Sequence, residues 1–193
     1  MYNARYIERW FCVKEEICYH ALRLFDENGY HGTSMRAIGE AVGCTMPTLY
    51  HHYGNKKNLF DEVVRVAYIN SIDDLQHQLP AQATPQEVCA ESIIQKKNLS
   101  ENNLLIHRLA MKTWLGCEGY KEVRHKLVDW EKARNKKNEA MLSITVSSTV
   151  WVKIITRAFF NMTERIILLS ESIPDEDIRE EMRLLFEAAN IIN

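Results

Sequence analysis

An all-α fold of about nine helices is what this sequence predicts, and three observations carry the expectation. Apolar residues recur at helical spacing along most of the chain, caps, glycines and prolines punctuate that pattern, and no stretch alternates in the manner of a strand. Segment 143–149 alone is rich in serine and β-branched residues. It reads as a break between helices, since about seven residues cannot anchor a sheet without a partner strand.

With 193 residues, 46% of them hydrophobic, the chain can build one or two compact domains. No run approaches the roughly 18 apolar residues of a membrane span, and the N-terminus lacks the apolar centre of a signal peptide, so a cytoplasmic protein is expected. Cys12, Cys18, Cys44, Cys89 and Cys117 form no C-x-x-C pair and sit beside no histidines at metal spacing. Reduced, mostly buried thiols are expected, with no metal site. The formal net charge of −2 does not by itself point to nucleic acid, so the local distribution of charge carries that question. No nucleophile-base pair or Gly-rich phosphate loop is recognisable, which argues against an enzyme, and no cofactor is expected.

Residues 1–12 are either a helical extension or an arm whose Arg5 and Arg9 reach a minor groove. From Val13 to Asn28 the residues Val13, Ile17, Ala21, Leu24 and Phe25 form one apolar face, Gly29 suits a left-handed cap, and Tyr30-His31-Gly32 connects onward. Thr33 or Ser34 caps a second helix with Ile38, Ala41 and Val42 inward. Gly43 supplies a sharp turn, and Thr45 caps a third helix whose first turn tolerates Pro47 and whose inward face is Leu49 and Tyr53. Asn55 caps a fourth helix that runs to about Leu79, before Pro80. Thr84-Pro85-Gln86-Glu87 is a capping box opening a fifth. Helices follow from Ser100, from Tyr120 to about Leu142, from Trp151 to Leu169 and after Pro174, and the charged run Glu131 to Glu139 reads as a solvated face.

Two short helices joined at Gly43, the second polar on its outer face, make a helix-turn-helix, and double-stranded DNA the expected partner. Residues 1–60 form the expected DNA-binding domain and 61–193 a helical regulatory and dimerisation domain. The first 60 or so residues resemble the tetracycline-repressor-like (TetR) family of bacterial transcriptional regulators. The resemblance rests on Ala21-x-x-Leu24-Phe25-x-x-x-Gly29-Tyr30, Thr33-Ser34-x-x-x-Ile38, Gly43-x-Thr45-x-Pro47-Thr48-Leu49-Tyr50-His51-His52-Tyr53 and Asn55-Lys56-Lys57-x-Leu59. It implies a homodimer on a palindromic operator, a repressor released by a small-molecule ligand. A helical protein-interaction module, or an activator without ligand control, is the alternative. Gly39 stands where that family usually has alanine.

A helix fits the major groove with its first residues near base edges, which assigns Thr45, Met46, Pro47 and Thr48 to the groove. Tyr50, His51 and His52 suit phosphate and sugar, and Ser34, Arg36 and Lys56 sit at flanking helix starts where phosphate is favoured. The C-terminal stripes Trp151, Ile155, Phe159, Met162 and Ile166, with Ile178, Met182, Leu185, Phe186 and Ala189, are the expected dimer face. His107, Trp114, Cys117, His125 and Arg157, polar or aromatic beside apolar stripes, are the candidate ligand-pocket residues.

Overall fold

Capping chemistry sets the helix ends in this computed structural model, which describes the backbone of residues 4–80 and 82–191 and the side chains of residues 13–80 and 82–190. The helices are α1 (Ala4–Gly32), α2 (Met35–Val42), α3 (Met46–Tyr53), α4 (Lys56–Phe60), a π-helical stretch (Asp61–Val66) and α5 (Ala67–His77). They continue as α6 (Pro85–Lys97), α7 (Glu101–Leu115), α8 (Lys121–Leu142), α9 (Thr149–Leu169) and α10 (Asp175–Ile191). With α4, the π stretch and α5 counted as one run, the described residues hold nine helices and no strand. The backbone is helical from Ala4, while the side chains of Arg5 and Arg9, and with them the arm, lie outside the described residues.

Two compact units emerge: Met1–Asn70 with Leu105–Val128, and Ser71–Leu104 with Asp129–Asn193. The helix-turn-helix thus shares a unit with a segment from the middle of the chain. Ile17, Ala21 and Phe25 are buried as the helical spacing requires, but Leu22 completes that face and Leu24 is only half-buried. In α2 the buried residues are Met35, Ile38 and Gly39, whereas Ala41 is exposed. Eight residues expose only a narrow stripe to α1 and α3, and Ala41 falls outside it.

Tyr30 belongs to the core rather than to a connection. Its ring stacks on Phe25 at 6.1 Å and meets Phe60 edge-on at 4.9 Å, and its N–H donates to Glu118 Oε1 at 2.8 Å. The same carboxylate oxygen accepts from Gly119 N–H at 3.1 Å. Gly29, at φ 71 and ψ 171, makes the corner that aims the Tyr30 N–H there.

In the second unit α6, α9 and α10 pack together. The capping box forms as expected: Thr84 N–H donates to Glu87 Oε2 at 2.8 Å, and Glu87 N–H to Thr84 Oγ1 at 3.3 Å. The Lys97 ammonium donates to the Ile173 carbonyl at 3.1 Å and pairs with Asp175, and Arg179 pairs with Glu91 at 3.0 Å.

These helices change the reading of the apolar stripes. Ile155, Met162, Ile166, Ile178, Met182, Phe186 and Ala189, expected to face a second copy, are each 5% exposed or less within this single chain. Trp151, Phe159 and Leu185 are half-buried. The stripes close against α6 and against each other, a use that helical period alone cannot separate from pairing between copies. The apolar side chains that α9 and α10 leave exposed are Val150, Ile154, Leu169 and Leu184. The charged run is also corrected: Glu131 is 1% exposed, and Arg134 and Asn138 follow it at helical spacing on the inward side of α8.

Candidate functional site

The turn between α2 and α3 is built by Gly43, whose φ of 71 is left-handed and whose N–H caps the carbonyls of Gly39 and Glu40. Ser34 Oγ accepts from Ala37 N–H at 3.0 Å and so starts α2. Thr45 Oγ1 accepts from Thr48 N–H at 3.4 Å and meets Thr48 Oγ1 at 2.9 Å, so one hydroxyl pair both caps α3 and sits at its outer entrance. Burial of Leu49 and Tyr53 fixes the rotation of α3. Pro47, Tyr50 and His51 are consequently exposed, Tyr50 by 47%, with Thr48 half-exposed beside them.

Tyr53 anchors the inner side, its hydroxyl donating to the Lys14 carbonyl at 3.3 Å and lying 3.0 Å from Cys18 Sγ. Burial, then the contact with Cys18, raises the Tyr53 hydroxyl far above its ordinary pKa, so it serves as a neutral anchor. The His51 and His52 rings meet edge-on with centroids 5.8 Å apart. Partial burial, with His51 and Lys14 nearby, lowers the His52 pKa from its ordinary value. His52 is therefore a neutral imidazole at neutral pH.

Three expected contacts are placed differently in kind. Arg36 is exposed, but its guanidinium Nε donates to Glu40 Oε1 at 2.8 Å, so a phosphate would compete with that carboxylate. Met46 is half-buried and turns toward α2: a Cβ built on Gly39 would lie 3.4 Å from its sulfur. Gly39 thus gives α3 a close approach, and an alanine there is already at contact distance.

Lys56 does not aim outward. Its ammonium donates to the carbonyls of Tyr30 at 2.8 Å and Thr33 at 2.9 Å and lies 4.3 Å from the Tyr30 ring centroid. Spacing shows where a lysine sits on its helix, not which way four methylenes turn, and carbonyls left at the end of α1 attract the cation inward. Lys56→Met is therefore expected to lower unfolding stability by about 1–3 kcal/mol. Affinity for double-stranded DNA is expected to keep the same salt dependence in this variant as in the unsubstituted chain, as read by denaturant titration alongside anisotropy at several salt concentrations.

A second concave site lies wholly in the unit Ser71–Leu104 with Asp129–Asn193. It is a cavity of about 270 Å³ between α5, α6, α8 and α9. Ile72, Leu75, Leu79, Ile155, Phe159 and Phe160 supply apolar wall, and Gln76, Ser92, Gln95, Asn138 and Thr156 supply polar points. Lys96 and Arg134 are its charged lining. Lys96 is 4% exposed, donates to the Ser92 carbonyl at 3.1 Å and lies 4.7 Å from the Phe159 ring centroid. Burial first, and then Arg134, pull the Lys96 pKa down to about 7, with Glu131 and Cys89 opposing. Arg134 Nη1 donates to the buried Glu131 Oε1 at 2.9 Å.

None of the five residues expected to line a ligand pocket lines this cavity. His107 is buried edge-on against Tyr68 at 4.9 Å, Trp114 is half-buried, and Cys117, His125 and Arg157 are exposed. Each is a polar or aromatic residue beside an apolar stripe in the sequence, and packing turns those stripes elsewhere. A usable signal was present: Cys89, Ile93 and Lys96 share one face of α6, which puts a lysine in register with core residues.

Residues 17–63 match the family described as "Bacterial regulatory proteins, tetR family". Over 62 residues the chain is 34% identical to the biofilm operon icaADBC HTH-type negative transcriptional regulator IcaR of Staphylococcus aureus (strain Newman), which takes in 31% of this chain and 33% of that protein. It is 40% identical over 52 residues to the HTH-type transcriptional repressor AcnR of Corynebacterium glutamicum, 27% of this chain and 28% of that one. The chain thus spans about a third of the length of these curated relatives. The crystal structure of AibR in complex with isovaleryl coenzyme A and operator DNA shares the fold, with a TM-score of 0.66 at 22% identity, over 90% of this chain and 98% of that one. No helix among the described residues is long and apolar enough to cross a membrane.

Proposed function

We propose, from the match of residues 17–63 to the family described as bacterial regulatory proteins, tetR family, that the whole chain is a transcriptional repressor that binds an operator as a homodimer and leaves it when a small ligand occupies the second unit. The observation that carries the reading is the outward set on α3. Thr45, Pro47, Thr48, Tyr50 and His51 are presented together by a capped helix whose other side is locked by Leu49 and Tyr53. Methyl groups there suit thymine, hydroxyls suit base edges or phosphate, and Tyr50 and His51 suit the backbone beside them. Ser34, exposed at the start of α2, adds a flanking hydroxyl.

One such helix reads few base pairs, so a two-fold dimer with half-sites about 34–36 Å apart supplies the remaining specificity. Val150 and Ile154 of α9 and Leu184 of α10, exposed in the single chain, are the contacts proposed for the second copy. The AibR structure, a complex with isovaleryl coenzyme A and operator DNA, supports assigning a ligand to this fold. The cavity beside Lys96 is the proposed place for it. Release requires only that the ligand bind the DNA-free form more tightly than the DNA-bound one.

Selection from a random double-stranded DNA library should yield a palindromic consensus, bound by the full chain with an affinity that falls steeply with salt. Tyr50→Ala with His51→Ala is expected to weaken that binding roughly ten- to hundredfold while leaving the melting temperature near wild type. The absence of any enriched sequence, or full binding by the double variant, overturns the reading.

A further inference from the structure

The second-unit cavity holds a charge pattern that selects among ligands. Around it stand two cations, Lys96 and Arg134, and its lining contains no Asp or Glu among the described residues. Glu131 lies behind Arg134 and accepts from it. No carboxylate among the described residues lies at ion-pair distance from Lys96, whose ammonium finds one carbonyl and one aromatic face. A lysine kept away from water without a counter-ion is costly, and a partner that brings the missing negative charge removes that cost.

The remaining wall limits what that partner is. Leu75, Leu79, Ile155 and Phe160 offer hydrocarbon rather than polar groups. Gln95 Oε1 is buried without a hydrogen-bond partner and, as an amide, can present its NH2 instead by turning over. We propose that the cavity binds an amphipathic monoanion, a carboxylic acid whose carboxylate sits between Lys96 and Arg134 and whose hydrocarbon body lies on the apolar wall.

The single negative charge follows from the count: two cations against Glu131 leave one positive charge. The volume, about 270 Å³, is at the small end of ligand pockets, which favours a short chain over a coenzyme-sized molecule. Facing Lys96 are Arg134 and Glu131 from α8 and Cys89 from its own helix, while α5 and α9 bring the uncharged Gln76 and Thr156. The apo ammonium titrates near pH 7, so carboxylate binding takes up a proton above that pH and weakens as pH rises. This inference names the effector class of the proposed repressor and rests on that reading for its consequence, though not for the binding itself.

Calorimetric titration of the full chain with octanoate, octan-1-ol and octylamine tests it. Octanoate is expected to bind at least tenfold more tightly than either analogue at pH 7, and its affinity should fall several-fold by pH 8.5. In Lys96→Met, octanoate and octan-1-ol should bind alike, and the variant's circular dichroism shows whether it is folded; Arg134→Gln, which keeps Lys96, should retain part of the preference. Equal binding of the three probes to the wild-type protein, or an undiminished octanoate preference in folded Lys96→Met, overturns the proposal. Octanoate binding by a protein with no enriched DNA sequence supports the site and removes the repressor reading. Specific DNA binding with no octanoate preference does the reverse.

Discussion

Gly29→Ala is expected to lower the unfolding free energy by about 2–4 kcal/mol, and the melting temperature by roughly 5–15 °C. Two independent effects add. With φ 71 and ψ 171, Gly29 occupies a backbone region open almost only to glycine, and placing a side chain there costs about 1–3 kcal/mol. A Cβ at that position would also lie 2.9 Å from both carboxylate oxygens of Glu118. Glu118 would have to leave the N–H groups of Tyr30 and Gly119, both of which it accepts from. Hydrogen bonds to a charged group are each worth about 1.5–3 kcal/mol, so a partial loss suffices. Differential scanning calorimetry of the full chain checks the result, and a variant within 1 °C of wild type would show that the corner is not strained for a side chain. Glu118→Gln, which keeps the shape and one acceptor oxygen, should cost markedly less.

Lys96 gives the second large effect, a dependence of stability on pH. Its folded pKa is about 7, below the ordinary 10.5 of an unfolded lysine. Below pH 7 both states are protonated and the full cost of burying the charge is present. Between pH 7 and 10.5 the unfolded chain binds the proton and the folded chain does not, so stability rises with pH by up to about 1.4 kcal/mol per unit. Burial also raises Cys89, to about 11, which acts in the opposite direction above pH 9. The informative window is therefore pH 7 to 8.5, with the variant as reference. Relative to Lys96→Met, the wild-type protein should gain about 1–2 kcal/mol across that window in urea unfolding. Lys96→Met should also be the more stable of the two at pH 7. Parallel curves would mean that water or a bound anion already serves the ammonium.

How much was legible in advance depended on the range of the interactions involved. Helix ends were: Ser34, Thr45, Asn55 and Thr84 each cap where local sequence places them, because a cap needs only a side chain and an N–H two or three residues away. The exposed face of α3, with Pro47, Tyr50 and His51, was legible as well, since Leu49 and Tyr53 fix its rotation from within the same eight residues.

Long side chains and wide stripes were not. Lys56 turned toward the Tyr30 and Thr33 carbonyls, Met46 toward Gly39, and the stripes of α9 and α10 closed on α6 instead of remaining open. The charged stretch of α8 was read by composition, although Glu131, Arg134 and Asn138 share an inward side.

By itself, then, the sequence determined an all-helical chain with a capped helix-turn-helix near its start, because periodicity, caps and a left-handed glycine are properties of neighbouring residues. Tertiary structure alone decided which apolar face is interior, which way Lys56 turns and which cations stand around a cavity. Those outcomes depend on helices distant in sequence competing for the same surface, and at Lys96 that competition left a positive charge among hydrocarbon.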